Sequence, residues 1–86
     1  MTLRLTKTSE RQIKKLSTTI RKKLYKQFFF LQKDYHHPSL HTQKMSGFEE
    51  TFEARIDRHY RFTYLLGDSF FLILSVGPHD EGLGKK

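Results

Sequence analysis

The chain opens with Leu3 and Leu5 alternating against Thr2, Arg4 and Thr6. A period of two predicts a short strand over residues 2–6. The period then changes. Ile13, Leu16, Ile20, Leu24, Phe28 and Leu31 recur every three or four residues, the stripe of an amphipathic helix. Arg11, Lys14, Lys15, Arg21, Lys22, Lys23 and Lys26 fall on the other faces. Ser9 with Gln12 three residues on makes a capping box, so the helix is predicted to start near Ser9. Ser17-Thr18-Thr19 interrupts the good helix formers and can cap a second helix. The pattern therefore predicts helices over 9–17 and 18–34, paired as a hairpin. Phe28-Phe29-Phe30 predicts that the second is buried on more than one side. His36-His37-Pro38-Ser39 ends it, because the residue before proline avoids the α region.

Beyond Pro38 the chain reads as strands. Thr42 to Met45 is a candidate strand closed by Ser46-Gly47. Phe52, Ala54 and Ile56 alternate with Glu53, Arg55 and Asp57, a half-buried strand. Tyr60, Phe62, Tyr64 and Leu66 alternate with His59, Arg61, Thr63 and Leu65 in another. Gly67-Asp68 signals a tight turn. Phe70 to Val76 is apolar on both parities, which predicts a central strand covered on both faces. Gly77-Pro78 ends it, and the polar, Gly-rich tail 79–86 is expected to be flexible.

The predicted order is β-α-α-β-β-β-β, an α+β domain spanning 1–86. A helical hairpin must cover one face of a small, twisted, mainly antiparallel sheet to close the core. The other face is then partly open, and Arg55, Arg61 and Thr63 have the parity to meet on it. At 86 residues the chain is too short for a dinucleotide-binding domain or a repeat array. It has no Cys, which removes disulfides, thiolate zinc sites and cysteine nucleophiles together. Its start has no apolar segment of signal-peptide type, and its longest apolar run, Phe70 to Leu74, is strand length. A soluble, cytoplasmic protein is expected.

Charge narrows the class of partner. Sixteen Lys and Arg against nine Asp and Glu give +7, the footprint of a protein that meets a polyanion or an acidic partner. Five His invite a metal reading, with His36, His37 and His41 close together. No carboxylate follows nearby after Asp34, and there is no Cys, so a closed zinc site is poorly supported and no metal or cofactor is expected.

Taken in order, Lys44-Met45-Ser46-Gly47, Phe52-Glu53-Ala54-Arg55-Ile56, Tyr60-Arg61-Phe62-Thr63-Tyr64, Gly67-Asp68 and Val76-Gly77-Pro78-His79-Asp80-Glu81 resemble the RelE/ParE superfamily of toxins from type II toxin–antitoxin systems. The resemblance covers nearly the whole chain. It implies a microbial RNase-like fold working without a metal, and a cognate antitoxin as partner. RelE-like members enter the ribosomal A site and cut mRNA; ParE-like members inhibit DNA gyrase. On the RelE-like reading, the resemblance implies that Arg61 stabilises phosphate charge and that His79 protonates the leaving oxygen. Arg55 assists on the neighbouring strand, while Lys44, His41 and Arg58 contact the RNA. Planar guanidinium groups suit phosphate because they bind two oxygens at once.

The sequence also departs from the pattern. Glu53 stands where several relatives carry a second basic residue, and no aromatic follows Glu81. The Glu that some relatives use as general base, before the Lys44 segment, is missing; Ser39-Leu40-His41-Thr42-Gln43 stands there. His41 or Lys44 remain as stand-ins. The sequence therefore leaves open a gyrase inhibitor, and a remnant that only binds its antitoxin, beside the ribosome-dependent endoribonuclease.

Overall fold

The computed structural model describes residues 1–47 and 49–79. Five strands form one sheet: β1 Thr2–Leu5, β2 Gln43–Lys44, β3 Thr51–Arg55, β4 Tyr60–Leu66 and β5 Phe70–Pro78. Their order across the sheet is β1-β5-β4-β3-β2. β1 pairs with β5 in parallel, and every other pair is antiparallel. Helices α1 Lys7–Lys14 and α2 Thr18–Lys33 cover one face, and a 3₁₀ turn at Pro38–Leu40 leads into β2. This is the α+β architecture that the change of hydrophobic period predicts. No helix among the described residues is long and apolar enough to cross a membrane.

Ile13 of α1 and Leu24, Phe28 and Leu31 of α2 meet Ala54, Phe62, Tyr64, Phe71, Ile73 and Val76 of the sheet in one core. The rings interlock edge to face: Phe28 on Phe62 at 5.3 Å, Tyr64 on Phe71 at 5.5 Å. Each fully buried side chain of this size contributes about 1.5–3 kcal/mol. Burial pushes the Tyr64 phenol up to about 12, Tyr35 adding to the rise and Thr42 opposing it. Its hydroxyl has no hydrogen-bond partner among the described residues. It stays protonated across the physiological range.

The helices begin where capping chemistry allows. Ser9 was the expected start of α1, yet Thr6 is the cap: extended at φ −79°, it accepts from the Ser9 amide at 3.0 Å. Ser9 is fully buried. Gln12, predicted to complete the box, accepts instead from the Val76 amide at 2.7 Å. Its side chain is spent on β5 beyond the end of β1. Ser17 caps α2 as its position predicts. Arg21 closes the hairpin, its guanidinium donating to the carbonyls of Ile13, Lys14 and Leu16 at 2.9–3.3 Å. Cationic donors there satisfy the open carbonyls at the C-terminus of α1.

Three burial expectations change. Phe29 is 57% exposed, because only the stripe through Leu24, Phe28 and Leu31 meets the sheet. Thr63 has the open-face parity of Arg61, yet it is buried, its hydroxyl 2.8 Å from that of Ser75. β5 is central, but Leu72 and Leu74 are half-exposed, so the strand is fully covered on the helix face alone. A bulge explains its doubly apolar sequence. Thr63 pairs with Ser75 and Tyr64 with Ile73, leaving Leu74 as the extra residue. The inward set is therefore Phe71, Ile73 and Val76, odd positions before the bulge and even after it. At the β4–β5 turn the Phe70 ring packs over Gly67, where a Cβ would crowd it.

Two polar contacts hold the end of the sheet that carries the Arg residues. Gln27, buried on α2, donates to the carbonyls of Ser39 at 3.1 Å and Arg55 at 2.7 Å. Asp57 accepts at Oδ1 from the amides of His59 and Tyr60, both at 2.9 Å, and Lys23 lies 3.5 Å from Oδ2. Burial alone would raise the Asp57 carboxyl, but these donors outweigh it and hold the group below its ordinary value.

Gln27→Met keeps the volume and removes the donor, so urea denaturation is expected to show a loss of about 1–3 kcal/mol. For Asp57, a lowered native pKa means stability that is complete above the unfolded value and lost as pH falls through the native one. The stability gap between wild type and Asp57→Asn is expected to be constant above about pH 5 and to close towards about pH 2. Denaturation curves at stepped pH measure it.

Candidate active site

The open face of the sheet carries a depression of about 270 Å³ lined by His41, Gln43, Glu53, Ala54, Arg55, Arg61 and His79. Strand register assembles it. Arg55 lies directly opposite Arg61, Glu53 opposite Thr63, and Gln43 opposite Glu53. Across the other edge of β4, Arg61 faces Gly77, which has no side chain to fill the space. His79 follows the end of β5, where its amide donates to the His59 carbonyl at 2.7 Å. That bond ties the His79 backbone to the β3–β4 turn.

Arg61 is anchored at one corner. Its Nη1 donates to the Asp57 carbonyl at 2.7 Å and the Tyr60 carbonyl at 3.0 Å. Among the described residues, Nε and Nη2 of Arg61 make no hydrogen bond. Arg55 Nε and Glu53 Oε2 are buried and have no hydrogen-bond partner among the described residues. His79 Nδ1 lies 4.0 Å from that oxygen, outside hydrogen-bonding range. Like charges opposite each other across two strands are destabilising. An Arg pair with open donors at this place suits an anion, and phosphate best, because each fork can grip two of its oxygens.

Four of the residues that the sequence singles out come together here: Arg55, Arg61, His79 and His41. His41 sits at φ 47°, a left-handed conformation that closes the 3₁₀ turn. Lys44 lies beyond the rim. It is exposed on β2 and lines a neighbouring depression of about 530 Å³, to which His41 also contributes. Arg58 is exposed in the β3–β4 turn and does not line the depression. Asp80 and Glu81 lie outside the described residues. Gln43, Glu53 and Ala54 also line the depression, and the sequence did not mark them as site residues. Glu53 shares the strand parity of Arg55, which was its signal; Gln43 lies on another strand and comes in only through its register with Glu53. No group of His, Asp and Glu arranged to hold a metal ion occurs among the described residues.

No protein-family model matches the chain, and no curated protein does. Solved structures do. The archaeal RelE–RelB complex from Pyrococcus horikoshii OT3 aligns with TM-score 0.78 at 16% identity, over 94% of this chain and 97% of that one. The YoeB/ParE toxin from Agrobacterium tumefaciens aligns with TM-score 0.80 at 15% identity, over 92% and 99%. The intact Escherichia coli RelBE toxin–antitoxin complex aligns with TM-score 0.77 at 19% identity, over 93% and 98%. Element order, sheet topology and near-complete coverage in both directions agree: the chain has the fold of the RelE/ParE toxins.

Proposed function

We propose that this chain is the toxin of a type II toxin–antitoxin pair and acts in the cytoplasm as a ribosome-dependent mRNA endoribonuclease that needs no metal. One observation carries the reading: a cross-strand Arg pair with open donors shares a depression with a His at the end of β5. Cleavage of RNA by its own 2′-hydroxyl requires stabilised phosphate charge, a proton acceptor and a proton donor. Arg61 and Arg55 would hold the non-bridging oxygens. His79 would protonate the leaving 5′-oxygen. His41 at the rim, with Lys44 and Arg58 outside it, would contact the RNA strand on either side. The basic faces of α1 and α2, including Lys14, Lys15, Lys22 and Lys26, suit ribosomal RNA phosphates or an acidic antitoxin. The complexes from Pyrococcus horikoshii and Escherichia coli, each a toxin with its antitoxin, support such a partner here.

Arg61 also braces the β3–β4 turn, so Arg61→Ala confounds folding with chemistry. His79→Ala is the cleaner variant, since the backbone bond to His59 survives it. Induced in a bacterium, the wild type is expected to arrest growth and cut mRNA inside translated frames. His79→Ala is expected to lower the cleavage rate about 10²–10⁴-fold. Mapping of 5′ ends with translation blocked and unblocked checks both. Arrest with intact mRNA would favour gyrase inhibition, the reading that the YoeB/ParE name of the Agrobacterium relative keeps in view.

The Arg pair yields a separate expectation. Arg55→Thr is expected to raise stability by about 0.2–1 kcal/mol in low salt by removing like-charge repulsion. It should also weaken the rise in Tm that a short RNA oligonucleotide confers on the wild type. Thermal melts with and without oligonucleotide measure both.

A further inference from the structure

We propose that Glu53 is the general base of this site, an assignment that rests on the endoribonuclease reading and completes it. The sequence alone counts Glu53 against activity, as an acid where relatives are basic. Its position reverses that. Among the described residues it is the one carboxylate lining the depression, and its side chain is 15% exposed. Oε2 has no hydrogen-bond partner among the described residues, although Arg55, Arg61 and His79 line the same depression. A buried carboxylate oxygen without a donor requires an explanation, since most such atoms are satisfied. Lys44 does not line the depression at all, and His41 does so from its rim.

The arrangement suits acid–base work. At 4.0 Å, Glu53 Oε2 and His79 Nδ1 are too far apart to share a hydrogen bond, so neither group is consumed by the other. In the reaction, the 2′-hydroxyl gives its proton to the Glu53 carboxylate and its oxygen attacks phosphorus. As the O2′–P bond forms, the P–O5′ bond breaks, and His79 delivers its proton to O5′. The products are a 2′,3′-cyclic phosphate and a 5′-hydroxyl. Water then takes the proton from Glu53 and returns one to His79, so the enzyme is unchanged. Among the described residues, the charged and titratable groups lining the depression with Glu53 are Arg55 on its own strand, Arg61 on β4, His79 after β5 and His41 before β2.

The test separates a base from a residue that merely orients His79. Ribosomes programmed with an mRNA carrying one cleavable site are mixed with wild type, Glu53→Gln, His79→Ala and His41→Ala. Each protein is first checked for the wild-type thermal transition. Two substrates are used: the natural linkage, and one with sulfur in place of the 5′-oxygen, a leaving group that needs no proton. Glu53→Gln is expected to lose about 10²–10³-fold on both substrates and to lose the acid limb of the pH–rate profile. His79→Ala is expected to lose activity on the natural linkage and recover it on the sulfur one. Glu53→Asp, which keeps the carboxylate, should retain the acid limb and part of the rate. Recovery of Glu53→Gln on the sulfur substrate would make Glu53 a positioning residue and overturn the assignment. A normal rate in Glu53→Gln with loss in His41→Ala on both substrates would pass the role to His41. If the wild type cuts neither substrate, the endoribonuclease reading itself falls.

Discussion

A single buried amide on α2 holds the working end of this fold in place. Gln27 sits among Leu24, Phe28 and Leu31, on the face where an apolar residue would be the default. Its Nε2 donates to two carbonyls on different elements: Ser39 in the 3₁₀ turn and Arg55 at the end of β3. The first fixes the turn from which His41 projects. The second fixes the strand end carrying one member of the Arg pair. From there the chain is constrained onwards. Asp57 collects the His59 and Tyr60 amides, the turn carbonyls hold Arg61, and the His59 carbonyl takes the His79 amide. Arg55, Arg61 and His79 are thus tied to the helix layer through Gln27 or through Asp57 and Lys23, although the site is on the opposite face of the sheet.

The bulge in β5 is the second device. Without the extra residue at Leu74, a strict period of two would put Ser75 and Gly77 on the core side and Val76 on the open side. With it, Val76 completes the core, Ser75 bonds Thr63, and Gly77 lies across from Arg61. Thr6 and Gln12 satisfy the backbone that the bulge and the short β1 leave open: Thr6 reaches the Ile73 and Leu74 carbonyls, and Gln12 the Val76 amide. The open face is therefore polar at the end where β5 has passed its bulge and partly apolar, through Leu72 and Leu74, at the other.

The site combines features that work against stability. Two arginines lie in register, and a donor on one of them and an acceptor on Glu53 are both buried and unpaired among the described residues. Local conflicts of this sort gather where a protein handles a ligand, because the ligand supplies the missing partners. The opposed pair, Arg55 Nε and Glu53 Oε2 lie within one depression; the other unpartnered buried side-chain atom among the described residues, the Tyr64 hydroxyl, lies in the core.

Much of this was legible in the residues themselves. The switch from a period of two to one of three or four and back again determined the element order, because helices and strands must each bury one face. Ser17 announced the second helix, and the parity of Arg55 and Arg61 placed both on the open side. What the sequence could not determine was decided by partners distant along the chain. Gln12 looked like a local cap and is instead bonded to Val76, which only packing of α1 on β5 could reveal. The continuous apolar run of β5 hid a bulge, because a doubly apolar strand has no polar beat to mark the slip. Phe29 looked like core and is exposed, since a helix on a single sheet buries one stripe. Glu53 read as a defect when compared position by position, and became a candidate base when the sheet put it beside His79. Periodicity is a property of neighbours in sequence, whereas a site is a property of register, and register is set by the tertiary structure.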